Sequence, residues 1–174
     1  MTGPNGSGKT SLLRILCGLL SPVEGEVRWR GERISNLGDE YFSEVTYLGH
    51  RNGVKDELSG LENLRVSCGL NGIGLGKSDA QALMQRVGLA GRESLPARLL
   101  SEGQRRRIAL ARLAASKSAL WLLDEITTSL DRNAIGLVRS LIQEHLSNGG
   151  IAIVATHQDL GLTTDNSQRL ELAT

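Results

Sequence analysis

Apolar positions follow two periods along the chain. Leu12, Leu13, Ile15, Leu16, Leu19 and Leu20 fall at helical spacing; they predict a helix that tolerates Gly18 near its end and stops at Pro22. Residues 119–123 and Ile151–Ala155 are continuous apolar runs of strand length, the pattern of strands buried on both faces of a parallel sheet. Between them Ile135, Val138, Leu141, Ile142 and Leu146 mark a helix opened by Asp131 and ended by Gly149-Gly150, so the stretch predicts a βαβ unit. His145, inside that helix, is expected to be exposed. Ser59-Gly60-Leu61-Glu62 has the form of a capping box, and Ser101 is a good N-cap with Glu102 suited to the first turn.

The helix nearest the start is preceded by Gly3-Pro4-Asn5-Gly6-Ser7-Gly8-Lys9-Thr10, which fits GxxxxGK[ST] at every fixed position. Glycines let backbone wrap closely around a polyphosphate, and successive amides form an anion nest at a helix N-terminus. Lys9 is placed to reach the β- and γ-phosphates, and the Thr10 hydroxyl to ligate Mg²⁺. The apolar run at 119–123 ends in Asp124-Glu125, at the strand edge where ligands bind in open α/β sheets. Asp124 suits the Mg²⁺ shell and Glu125 a role in orienting or deprotonating water; a surface acidic pair is the plainer alternative. His157 follows the next strand, which puts it at the same sheet edge as Glu125. Alone, it fits a structural role as well as a chemical one. The run Arg105-Arg106-Arg107 reads by itself as the solvated face of a capped helix.

Composition excludes several classes. Twenty Lys+Arg balance nineteen Asp+Glu for a net charge of +1, unlike a generally basic nucleic-acid binder. Aromatics are 3%, too few for a single-strand stacking platform. No apolar run approaches the roughly 20 residues of a membrane span, and no basic-then-apolar leader opens the chain. Cys17 and Cys68 form neither CxxC nor a disulfide framework, which points to a reduced, cytosolic setting.

The order of motifs is residues 3–10, then Ser101-Glu102-Gly103-Gln104, Asp124-Glu125, Ser129-Leu130-Asp131 and His157. It resembles the nucleotide-binding domain of ABC transporters along the whole chain. Several segments look like the CcmA-type ATP-binding subunit of the cytochrome c biogenesis haem exporter. They are 2–20, the run from Leu48 to Leu64, 103–113 and 120–125. The resemblance implies an α/β P-loop NTPase fold: a RecA-like core with a mostly parallel sheet (1–50 and 119–174) and an inserted α-helical subdomain (51–118). It implies ATP and Mg²⁺ as cofactors. Gly3, Pro4, Asn5, Gly6, Ser7, Gly8, Lys9, Thr10 and Ser11 would bind ATP, and Thr10 and Asp124 would hold Mg²⁺, partly through water. Ser101, Glu102, Gly103 and Gln104 would be the signature facing the γ-phosphate of a second copy in a head-to-tail dimer. His50 falls in the Q-loop position, Ser129, Leu130 and Asp131 would form the D-loop, and Glu125, His157 and Lys9 would be catalytic. Implied partners are transmembrane CcmB- and CcmC-type subunits, with the chain peripheral on the cytoplasmic face of the inner membrane. No nucleic acid, no membrane span and no covalent haem are expected, since the chain carries no CxxCH.

Three departures stand out. Glu102 occupies a position where Gly or Ala is commoner, and a carboxylate near phosphates is unfavourable unless it points away. Ile126 follows Glu125 where the family usually has Pro, which is expected to loosen the turn that follows. Only Met1 and Thr2 precede the phosphate loop, so the N-terminal β-strands and the adenine-stacking aromatic are missing; this suggests a start site placed too far downstream. Competing readings are an ABC ATPase of another transporter, a non-transport ABC ATPase acting in DNA repair or translation, and an ATPase-inactive remnant. The non-transport class carries coiled-coil insertions or fused ATPase domains, which this sequence lacks.

Overall fold

The structure is a computed structural model and describes residues 1–157, 160–162 and 167–172. The chain divides into two compact units: Met1–His50 with Ser118–Ile126 and Ile142–Thr174, and Arg51–Lys117 with Thr127–Leu141.

The first unit is built on a parallel sheet. β3 (Val45–Leu48), β4 (Leu120–Asp124) and β5 (Ile151–Ala155) lie side by side in that order. Leu120 is in register with Val45 on one side and Ile151 on the other, and Asp124 with Ala155. All five β4 residues are buried, as the uninterrupted apolar run requires of a central strand. Before the sheet come α1 (Lys9–Leu16), a two-residue ribbon of β1 (Arg28–Trp29) and β2 (Glu32–Arg33), and the short helices α2 (Ile34–Leu37) and α3 (Asp39–Ser43). α1 packs Leu13 and Cys17 against Leu120, Leu122 and Ala155. Met1 and Thr2 lie in a strand position. The Met1 amine donates to Val154 O at 2.7 Å, and Thr156 N–H donates to Met1 O. On the other side Thr2 N–H donates to Leu170 O and Leu172 N–H to Thr2 O, 2.9 Å each. Backbone pairing therefore does lead directly into the phosphate loop.

α1 ends earlier than its apolar stripe predicts. Gly18 adopts φ 75° and closes a Schellman motif, with its N–H on Ile15 O and Leu19 N–H on Arg14 O. The helix stops at Leu16, and Leu19 and Leu20 are exposed. Gly18, not Pro22, is the terminator, because the glycine can take the left-handed conformation that satisfies the last carbonyls.

The second unit is helical. α4 (Gly60–Leu70), α5 (Lys77–Arg86) and α6 (Glu102–Ala115) pack pairwise, with Leu64, Met84 and Ile108 fully buried. A Cβ on Gly60 would stand 2.6 Å from Met84 Cε and 3.5 Å from Ile108 Cδ1, so the helices meet closely there. The N-termini of α4 and α6 carry complete capping boxes, Ser59 with Glu62 and Ser101 with Gln104. α7 (Arg132–Ser147) begins in this unit and ends in the sheet unit. A boundary drawn at residue 119 would leave all of it with the sheet. Its start is bound instead to α6, through Arg107 and Asp131. Gly149 and Gly150 close α7 with a second Schellman motif. No helix among the described residues is long and apolar enough to cross a membrane.

His145 is not simply exposed. Its ring stacks on Trp121 of β4 (centroids 3.9 Å apart, planes 3° from parallel), and Nε2 lies 3.1 Å from Ile151 O. A helix-face position says nothing of this, because the stack depends on how α7 lies over β4. Burial holds its imidazole below the ordinary value.

Candidate functional site

In the sheet unit the loop 3–8 leads into α1 through Gly8, whose φ of 90° is open to glycine and strained for other residues. Gly3 is needed for a different reason: a Cβ there would lie 2.6 Å from Leu172 O and 2.7 Å from Ser7 Oγ. No side chain caps α1 and no acidic residue sits in its first turn, so its positive end faces the loop without a competing anion. Lys9 is 7% exposed and folds back along the loop, donating to Gly3 O at 2.7 Å and Pro4 O at 2.9 Å. Thr10 Oγ1 donates to Asp124 Oδ2 at 2.8 Å. Together they are two hard oxygen ligands from different elements, a donor set that fits Mg²⁺. Ser11 is exposed on the same first turn.

Glu125 follows β4 with φ 52°, an uncommon conformation for a residue with a side chain. Its N–H donates to Ala155 O, which extends the β4–β5 pairing by one residue. His157 Nε2 lies 3.4 Å from Glu125 Oε1 and 3.1 Å from Asn5 Oδ1. The fold thus gathers a loop residue, a strand-end carboxylate and a histidine from distant parts of the sequence. Asn5 was visible only as part of the loop; its bond to His157 has no sequence signal. His50 lies just past β3, exposed.

In the helical unit, Ser101 caps α6. Its Oγ accepts from Gln104 N–H, and Gln104 Oε1 accepts from Ser101 N–H at 3.0 Å. Glu102 does not stand free: Oε1 accepts from Asn52 Nδ2 at 2.7 Å. A Cβ on Gly103 would lie 3.0 Å from Ser129 O, so residues 101–104 and 129–131 are close neighbours. Ser129 has φ 63°, and Asp131 caps α7 by accepting from Ala134 N–H at 2.7 Å. That bond, then the Arg107 guanidinium, holds the Asp131 carboxyl below its usual range. The arginine run is not a uniformly solvated face. Arg106 is 2% exposed, and Arg107 binds both Asp131 oxygens and Val87 O. Ile126 is fully buried, so it contributes to the core of the turn that it was expected to loosen.

The ABC transporter family matches residues 1–128. A cytochrome c biogenesis ATP-binding export protein CcmA from Nitrosospira multiformis is 54% identical over 98% of this chain and 82% of its own length. A CcmA from Nitrosomonas europaea is 50% identical over 98% of this chain and 80% of its own length. Among solved structures, a dimeric ATP-binding cassette in a post-hydrolysis state bound to ADP and phosphate superposes with a TM-score of 0.78. It has 25% identity, over 90% of this chain and 73% of that one.

Proposed function

The chain belongs to the ABC transporter family as an ATPase of the CcmA type, and we propose that it is the ATP-binding subunit of an exporter in cytochrome c biogenesis. The observation that carries the chemistry is the Thr10–Asp124 contact at the mouth of the glycine loop, with Glu125 and His157 beside it at the same sheet edge. The exported cargo is haem. The chain acts as a head-to-tail dimer, bound to CcmB- and CcmC-type membrane subunits at the cytoplasmic face of the inner membrane.

ATP lies along the glycine loop. The loop amides and the N-terminus of α1 hold its phosphates, and Lys9 exchanges the Gly3 and Pro4 carbonyls for β- and γ-phosphate oxygens. Thr10 and Asp124 would hold Mg²⁺, which would offset phosphate charge. Glu125 takes the proton of the attacking water, and His157, oriented by Asn5 Oδ1, contacts the γ-phosphate. Ser101 Oγ and the Gly103 N–H face the γ-phosphate held by the other copy. Asp131, at the start of α7, belongs to the same dimer-facing segment as Ser129 and Leu130. His50, exposed just past β3, takes the Q-loop position. Closure on ATP and release on hydrolysis provide two states that a membrane partner can follow.

Affinity purification from membranes tests the exporter assignment. The chain is expected to bring down transmembrane subunits. Recovery only with ribosomes or DNA would refute the transport reading.

A further inference from the structure

Glu102 poses an electrostatic problem for any phosphate-facing loop, because a carboxylate a few ångströms from a γ-phosphate repels it. The structure holds this carboxylate through Asn52, a residue far away in sequence. Asn52 is 9% exposed, and each of its polar ends has a partner of fixed character. Arg106 Nη1 donates to Asn52 Oδ1 at 3.1 Å. Arginine can only donate and carboxylate can only accept, so the amide has one orientation: Oδ1 to Arg106 and Nδ2 to Glu102. The backbone on either side is fixed as well. Asn52 O accepts from Arg112 Nη2, and Gly53 O accepts from Arg112 Nη1 at 3.2 Å. Gly53, at φ 60°, lets the chain lie against that guanidinium; a Cβ would stand 3.1 Å from Nη1. Glu102, Arg106 and Arg112 all project from α6, so the helix that begins at the signature also binds Asn52.

We propose that Asn52 is a positioning residue: it holds the Glu102 carboxylate aside, leaving the Ser101 hydroxyl and the Gly103 N–H to face the nucleotide of a second copy. This rests on the reading of residues 101–104 as the motif that meets ATP in trans. Asn52 touches neither ATP nor the reacting water. It acts by keeping one negative charge out of their way, and through Arg106 it gives that charge a buried cationic neighbour.

The test is the Mg-ATP concentration that half-saturates dimerisation, followed by light scattering in a Glu125→Gln background so that turnover does not reset the complex. Asn52→Ala is expected to raise that concentration about fivefold, the effect of roughly one unscreened charge contact in a wet site. Glu102→Ala serves as a second reference: in that background Asn52→Ala is expected to have no further effect, the double variant matching Glu102→Ala alone. That comparison separates positioning from structure, because a merely structural loss at Asn52 persists when Glu102 is removed. Asn52→Asp, which keeps an oxygen for Arg106 but repels Glu102, is expected to act like Asn52→Ala and serves if the alanine variant misfolds. Unchanged dimerisation in both Asn52 variants, or an Asn52→Ala defect that persists in the Glu102→Ala background, overturns the assignment of Asn52. A parent that fails to associate with ATP at all overturns the dimeric nucleotide site and this proposal with it.

Discussion

Lys9 and His157 stand at the two ends of what single residues reveal. Lys9 is legible from its motif: glycines at fixed spacing and a helix behind them leave a lysine few other tasks, and the structure places it along the loop. Lys9→Ala is expected to abolish ATP binding in titration calorimetry; retained affinity would remove the phosphate-loop assignment. For His157 the sequence places the residue at the right sheet edge but not its partners, since its contacts with Asn5 and Glu125 close over sequence separations no pattern records. His157→Ala is expected to lower kcat by about tenfold or more with a smaller change in ATP affinity, as for a group that acts in the transition state. An equal kcat would return it to a structural role. Asn52 was not legible at all. Its importance comes from the Glu102, Arg106 and Arg112 side chains that the fold turns toward it.

Elements were easier to read than their ends. The buried run of β4 and the capping boxes of α4 and α6 follow from local chemistry, and local chemistry is what sequence records. α1 was overextended because Leu19 and Leu20 keep the helical period after Gly18 has already turned the chain. α7 shows the opposite limit: its span is periodic, yet the Trp121–His145 stack depends on tertiary placement. That stack has a consequence for pH. Burial lowers the His145 pKa below its ordinary 6.5, so the unfolded chain binds a proton more readily than the folded one. Stability is therefore full above about pH 6.5 and declines as pH falls through the interval below it. Thermal unfolding is expected to show a steeper loss in acid for the native chain than for His145→Gln. Parallel pH profiles would show that the stack carries no linkage.

At the scale of the molecule, each unit carries part of the proposed site. The sheet unit contains the glycine loop, Asp124, Glu125 and His157, and the helical unit contains residues 101–104 and 129–131. The order of these motifs made the family legible, and the spacing carried the βαβ core. The sequence reads as lacking a strand before the phosphate loop, yet Met1 and Thr2 pair on both sides. The central claim is that this chain turns over ATP with Glu125 as its base. Steady-state phosphate release by the purified protein with Mg-ATP, compared with Glu125→Gln, tests it most directly. The account predicts hydrolysis by the native chain, and a fall of about a hundredfold or more in the variant with ATP binding retained. Equal rates in the two proteins, or no hydrolysis by the native chain, would contradict it.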